Sequence, residues 1–348
     1  MRAGIRSRPW AGLDVGSYSV KLLASLGNRY WVAETPLSSN GHGPDVPEPE
    51  AVAKAIAECI ESAGLSPRSF RGVSMGISGP DVIVKQITLP LIDDAEVGPA
   101  LRFEARKHIP FDPQTMVLDY QVVGRWTTER KLDILLAAVS SEHVERHLAP
   151  MRILGIEVDI LDAAPLALTN AAAHGPSLPT DPHVLLDIGH VASHLTLYQR
   201  GQPFFSRRLD FGGRSITRAI AAGARIPFDE AEEWKLAVGA DRPSLRGDWD
   251  SRELEAVSDC LRSELVEELR RSFGFYRTQG RLPDPLRISV SGGSARLPGL
   301  FARLGELLGE PVLLFDPLET FNGPPRGGVR PTSGPQFAQA LGLMTRSA

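Results

Sequence analysis

Residues 13–19 read LDVGSYS and residues 186–193 read LDIGHVAS, so Asp14 and Asp187 each precede a glycine by two places at the end of an apolar run. Gly16 and Gly189 tolerate positive φ, so each lets the chain turn sharply. Successive backbone N–H groups of such a turn can converge on phosphate oxygens. Ser17, Ser19 and Ser193 add hydroxyl donors, and Lys21 can neutralise the charge of a terminal phosphate. An aspartate is a poor direct partner for phosphate. Its chemistry fits Mg2+, held largely through water because that ion dehydrates reluctantly. Two such loops facing one another would clamp the β- and γ-phosphates of a nucleotide, with the metal between Asp14 and Asp187. Either turn alone reads equally well as a hairpin with a capping aspartate; the repetition favours the clamp.

A third stretch, ISVSGGSARLPGL at 288–300, places Ser291, Gly292 and Gly293 between a buried-type strand and a helix. Glycines there let the backbone pass close to a base and ribose, or to an α-phosphate. Glu232 and Lys235 share one helix face at i, i+3. They reach ribose hydroxyls or adenine edges in one reading and form a solvated ion pair in the other. Gly212 and Gly213, before a helix carrying Thr217, border the nucleotide or make a simple turn. Phosphoryl transfer also needs an oriented water or hydroxyl. Asp187, through metal or water, is the best catalytic candidate, and no unambiguous base is visible. The site therefore reads as nucleotide binding with slow or regulatory hydrolysis.

The elements that must position these residues follow from periodicity. Residues 11–35 read as a three-strand meander, 50–63 as a helix with Val52, Ile56 and Ile60 on one face, and 73–79 as a buried strand. The segment 81–159 is a strand–helix–strand–strand–helix unit inserted into the first lobe, with Ser140 or Ser141 as a helix cap. The meander scheme reopens at 183, and 252–279 is a long amphipathic helix with Val257, Leu261, Leu265 and Leu269 on one face. Polar loops are expected at 38–49, 241–250 and 322–336. The predicted division is 10–80 for the N-terminal part of the first lobe, 81–159 for the insertion, 160–182 for a helix and linker, 183–330 for the second lobe and 331–348 for a final helix. The class is mixed α/β with a repeated sheet.

Composition excludes several functions. The chain has 348 residues, 42% apolar and 23% charged, with a net charge of −4 and no basic stripe, so nucleic acid is not an expected partner. Cys59 and Cys260 stand alone in helical patterns, which gives neither a zinc site nor a disulfide framework. No apolar run reaches the roughly 20 residues that span a bilayer. The basic start is followed by a strand rather than an apolar signal core. A cytoplasmic protein without direct membrane insertion is expected.

These motifs resemble the actin-like ATPase superfamily: LDVGSYSVK its first phosphate loop, LDIGHVASHLTLY its second, VSGGSARLPGL its adenosine loop, and ALGL the C-terminal helix that returns to the first lobe. A nearer resemblance is to the PilM family of type IV pilus assembly. It rests on the segment 84–124 with FEARKHIPF and DYQVVG, on RRLDFGGRSITRAIA and on FDEAEEWK, and covers about residues 11–347. The resemblance implies a bilobal fold of duplicated ribonuclease-H-like lobes with an inserted α+β subdomain, and ATP with Mg2+ between the lobes. It also implies a partner, the N-terminal cytoplasmic tail of a PilN-like inner-membrane protein, together with other components of the pilus assembly platform. The protein would then be peripheral to the inner membrane through its partners. Tyr18 and His190 depart from the small residues usual in such loops. A small-molecule kinase on the same fold is one alternative, although Phe103, Glu104, Arg106, Ile109 and Phe111 suit a peptide better than a sugar. An FtsA-like cell-division protein is another, and the C-terminal amphipathic helix expected of that class is not seen before Ala348.

Overall fold

The computed structural model describes residues 8–37, 48–174, 182–199, 202–239, 251–283, 286–328, 331 and 333–346. Most of the loop expected at 38–49, all of that at 241–250 and the linker 175–181 lie outside the described residues. The first half of the chain runs β1 (Trp10–Val15), β2 (Ser19–Leu26), β3 (Arg29–Pro36), α1 (Pro49–Ser62), β4 (Gly72–Ile77), β5 (Ile83–Pro90), α2 (Asp94–Glu104), β6 (Met116–Trp126), β7 (Lys131–Ser140), α3 (Ser141–Ile153), β8 (Ile160–Ala163) and α4 (Ala164–His174). The second half runs β9 (His183–Ile188), β10 (Ser193–Gln199), β11 (Gln202–Leu209), α5 (Gly213–Ala224), α6 (Phe228–Gly239), α7 (Ser251–Cys260), α8 (Glu267–Thr278), β12 (Ile288–Ser291), α9 (Leu300–Leu308), β13 (Val312–Leu314) and α10 (Ala338–Thr345). A π-helical turn, Leu261–Val266, joins α7 to α8, so the long helix read at 252–279 is one element with a local widening.

The repetition in the sequence is a repetition in topology. The first sheet has the order β3-β2-β1-β4-β8 and the second β13-β12-β9-β10-β11-β5-β7-β6. In each, an antiparallel meander is joined by a later parallel strand, β4 beside β1 and β12 beside β9. Strands β4 and β9 are buried along their whole length, which is why they read as continuous apolar runs rather than alternations. The first-lobe core gathers Leu13, Leu22, Ile56, Ile60 and Met75; the second-lobe core gathers Leu186, Leu195, Leu265, Phe273 and Val290. Helix α10 packs on α4 and β1, which returns the C-terminus to the first lobe.

The inserted unit has its own core of Ile87, Leu89, Val97, Leu101, Ile134 and Leu136. Two of its relations were not legible in the pattern. Its strand β5 meets β11 at Lys85 and Phe205, so its sheet continues the second lobe's sheet. Helix α3, grouped with the insertion by its place in the chain, packs on α1 and sends Met151 into the first-lobe core. The incoming and outgoing strands of the inserted unit, β5 and β7, pair as far as Ile83 and Ala138, beside Ser140. There Asp81 accepts hydrogen bonds from the Ser140 hydroxyl (2.5 Å) and pairs with His143 Nδ1 (2.6 Å), pinning the incoming and outgoing strands together. Burial alone would raise the Asp81 carboxyl, and these partners outweigh it and hold it low. Ser140 also caps α3, accepting from the His143 amide.

Candidate functional site

The two aspartate turns face one cleft of about 1160 Å³, lined by Asp14, Gly16, Ser17, Ser19 and Lys21 on one side and by Asp187, Gly189 and His190 on the other. Glu232, Lys235, Gly292 and Gly293 line the same space. Each turn is a two-residue hairpin loop. Gly16 N–H closes the first onto Ser19 O (3.1 Å) and Gly189 N–H closes the second onto Ala192 O (3.1 Å). Counting outward, the first hairpin sets Lys21 opposite Asp14 and the second sets His194 opposite Asp187.

The geometry changes the expected role of the glycines. Neither Gly16 nor Gly189 has positive φ, and their amides are spent in closing the turns. At Gly189 the demand is space, because a Cβ would stand 2.7 Å from Ala192 O. The amides of Ser17, Tyr18, His190 and Val191 have no backbone acceptor among the described residues, and these are the donors left for a ligand. Ser193 is not brought to the cleft: it is fully buried, and its hydroxyl donates to Phe211 O at 2.7 Å.

Charge is concentrated at the floor. Lys21 Nζ lies 3.3 Å from Asp14 Oδ2 and 3.3 Å from Ser19 O. Ser19 donates to Glu34 at 2.7 Å, adding a carboxylate that no sequence motif marked. Asp187 accepts from Ser291 at Oδ1 (2.8 Å) and from Gln339 at Oδ2 (2.9 Å). Burial raises Asp14 above the usual carboxylate range, and Asp187 and Glu34 push it further against the pull of Lys21. Burial likewise raises Asp187, opposed by the hydrogen bonds of Ser291 and Gln339. Burial would lower Lys21, but Asp14 and Glu34 override it and raise it. One ammonium, Lys21, thus stands among three carboxyl groups, Asp14, Glu34 and Asp187.

A further wall of the cleft is built on α5 and α6. Lys235 Nζ donates to Glu232 Oε2 (2.7 Å), Thr217 Oγ1 (2.7 Å) and Gly213 O (3.0 Å), and Thr217 also bonds Glu232. Lys235 is buried and Glu232 half-buried, so the pair is not a freely solvated one, and burial lowers Lys235. Glu232 Oε1 has no partner. Gly212 and Gly213 bring the start of α5 against the second turn, where Gly213 N–H and Arg214 N–H donate to Gly189 O and His190 O. Gly292 has φ +94°, and a Cβ there would stand 2.7 Å from Ile188 C, so only glycine lets the third motif cross the end of β9. A single tight turn, Gly293–Arg296, follows, and the helix proper begins later than expected, at Leu300.

The two unusual residues meet. The Tyr18 and His190 rings lie 4.9 Å apart, bridging one turn to the other. Burial, with Lys235 and Arg214 nearby, lowers His190 to about 4, so it is neutral at physiological pH. His194, which the sequence reading missed, also lines the cleft and is lowered to about 4 by burial and Arg208. Its position was readable only once a two-residue loop was assumed.

Two similar sheets closing on one charged cleft define an actin-like ATPase fold. MreB 5 of Spiroplasma citri, solved with AMPPNP, shares it at TM-score 0.51 and 13% identity over 97% of this chain and 95% of that one. The ethanolamine utilization protein EutJ of Carboxydothermus hydrogenoformans does so at TM-score 0.53 and 15% identity over 98% and 89%. Within that class, residues 12–348 match the model of the type IV pilus assembly protein PilM, and the chain belongs to that family. A solved PilM-PilN type IV pilus biogenesis complex is similar at TM-score 0.76 and 28% identity over 97% of both chains. Cell division protein FtsA of Staphylococcus epidermidis is 25% identical over 207 residues, 55% of this chain. The match spans 42% of that protein, so the chain covers about four tenths of the first curated relatives it matches. No helix among the described residues is long and apolar enough to cross a membrane.

Proposed function

We propose that this chain is an ATP-binding scaffold of the type IV pilus assembly platform, which grips the cytoplasmic tail of a PilN-like inner-membrane protein and changes that grip with nucleotide state. The observation that carries the reading is the meeting of Asp14, Lys21 and Asp187, from two separate repeats, in one cleft.

The residues fit the nucleotide. The free amides of Ser17, Tyr18, His190 and Val191 and the Lys21 ammonium would hold the phosphates. Glu232 Oε1, buried without a donor, suits a ribose hydroxyl. Gly292 and Gly293 would form the wall beside the nucleoside. Asp14 and Asp187 suit Mg2+. Among the described residues no set of three ligating side chains could hold a metal alone, so the ion would have to keep most of its waters and arrive with phosphates. When bound, the ion would supply neutralising charge for the phosphates and the three carboxylates. The residues of this chain orient and hold; none is placed as an unambiguous base, so hydrolysis is slow or regulatory.

The partner is supported by the similar solved complex of PilM with PilN. The inserted unit also exposes Phe103 and Phe111 beside Glu104 and Lys107, an apolar and charged mixture suited to a peptide. Membrane association would then come through the partner. Lobe closure on nucleotide would alter a groove shared with the insertion, because β5 is joined to the second lobe's β11. The test is titration of a PilN-tail peptide into the chain with and without Mg2+-ATP. The expected result is saturable binding with different affinities. Equal affinities would remove the coupling, and no binding in either state would remove the partner. A pull-down against inner-membrane platform components extends the test to other partners.

A further inference from the structure

The C-terminal segment sends two glutamines into the cleft, and the roles given above to Asp14 and Asp187 leave both unexplained. Gln339, on α10, donates from Nε2 to Asp187 Oδ2 at 2.9 Å. Ser291 takes the other oxygen at 2.8 Å. Asp187 is thus held at both oxygens by neutral donors, which fixes the plane of its carboxylate. Gln336, in the turn before α10, donates to Glu34 Oε2 at 3.3 Å, while Ser19 takes Glu34 Oε1 at 2.7 Å. Gln336 is only 3% exposed, and its Oε1 has no hydrogen-bond partner. Reversing the amide would turn oxygen toward the Glu34 carboxylate, so the network sets its orientation. The two glutamines therefore tie one carboxylate of each lobe to a single short element. That element is docked on the first lobe, whereas Asp187 lies in a strand of the second.

We infer that Gln336 and Gln339 are positioning residues of the cation site. Gln339 holds Asp187 in the orientation that faces the ion's water shell, and Gln336 holds Glu34 and keeps a carbonyl oxygen in reserve as an acceptor for a shell water. The inference rests on the reading of the cleft as a magnesium-nucleotide site. Its physical basis is independent of the family. A buried carbonyl oxygen without a donor is costly, and an ordered water removes that cost. Amides orient carboxylates without changing the charge of the site. A lysine at either position would compete with the ion, and an acid would add to the repulsion already acting on Asp14. Because the Gln339–Asp187 bond crosses between lobes, opening of the cleft would break it, which links the seat of α10 to the geometry offered to the cation.

The test uses the full chain with Gln339→Met and, separately, Gln336→Met, each keeping length and approximate volume. Affinity for a fluorescent ATP analogue is measured across a magnesium titration and again in EDTA, beside thermal unfolding. The expected result is that the Mg2+ concentration for half-maximal binding rises about 10- to 100-fold, the usual effect of removing an outer partner of a metal ligand. Affinity in EDTA stays near wild type, and the unfolding temperature falls by no more than the loss of one hydrogen bond accounts for. An unchanged magnesium dependence, or weakening that is equal with and without the metal, overturns the inference and leaves the glutamines structural. A wild-type chain that binds no nucleotide overturns the reading of the cleft along with it. A wild type that binds Mg2+-ATP beside unaffected variants overturns the inference alone.

Discussion

Gly292 and Gly293 are adjacent and look alike in sequence, yet the structure wedges Gly292 against the backbone of β9 and leaves Gly293 open to the cleft. Gly292 sits at φ 94°, ψ 167°, a region that side chains avoid at a cost of about 1–3 kcal/mol. A Cβ there would also press on the backbone of Ile188, which lies in β9 between β10 and β12 and has little room to yield. Overpacking of that kind costs about 1–3 kcal/mol more. Gly292→Ala should therefore remove about 2–6 kcal/mol from the second lobe and lower its unfolding midpoint. At Gly293 an added Cβ meets nothing within 4 Å, so Gly293→Ala should leave stability within about 0.5 kcal/mol of wild type. Its methyl would stand in the cleft wall and cost nucleotide affinity about 1–3 kcal/mol. Thermal and urea unfolding of both variants, beside binding of a fluorescent ATP analogue, reads the two effects apart. A Gly292→Ala protein as stable as wild type, or a Gly293→Ala protein that unfolds first, would refute the reasoning.

Other expectations follow from the same geometry. Lys235→Met leaves the half-buried Glu232 without its cation and should cost about 1–3 kcal/mol, largely recovered by adding Glu232→Gln; chemical denaturation checks both. His190 and His194 have folded values of about 4, below the 6.5 of the free side chain. Their contribution is complete above about pH 6.5 and lost as pH falls toward 4, by at most roughly 3 kcal/mol each. Asp14 and Asp187, raised by burial, act in the opposite sense and gain stability as pH falls, so His190→Gln should flatten the acid limb of a pH-stability profile. Phe103→Glu, at a residue 70% exposed, should leave unfolding unchanged and weaken binding of a PilN-tail peptide about tenfold or more, measured by fluorescence anisotropy.

What was legible in the sequence was local. An aspartate, a glycine and a following strand are enough to read each hairpin, and two copies are enough to read a repeated lobe. Contacts that join distant segments carry no local signature. The Tyr18–His190 contact joins two turns that each looked merely irregular. Glu34 enters through a hydrogen bond to Ser19 across two strands, and Gln339 reaches Asp187 from the end of the chain. Ser193 misled because a hydroxyl near a glycine turn suggests a ligand donor, whereas its place in β10 points it at Phe211 O. The glycine amides misled for a related reason: a hairpin closed by two residues spends them on itself. Helix α3 was grouped by order in the chain, but its apolar face seeks α1, and packing decides membership in a core.

The most direct test of the clamp is equilibrium binding of ATP to the intact chain in the presence of magnesium, with Asp187→Ala and Gly189→Val alongside. Saturable binding at one site per chain, lost in both variants while they remain folded, is the predicted result. Absence of saturable binding by the wild-type chain, or undiminished binding by the variants, would contradict the account.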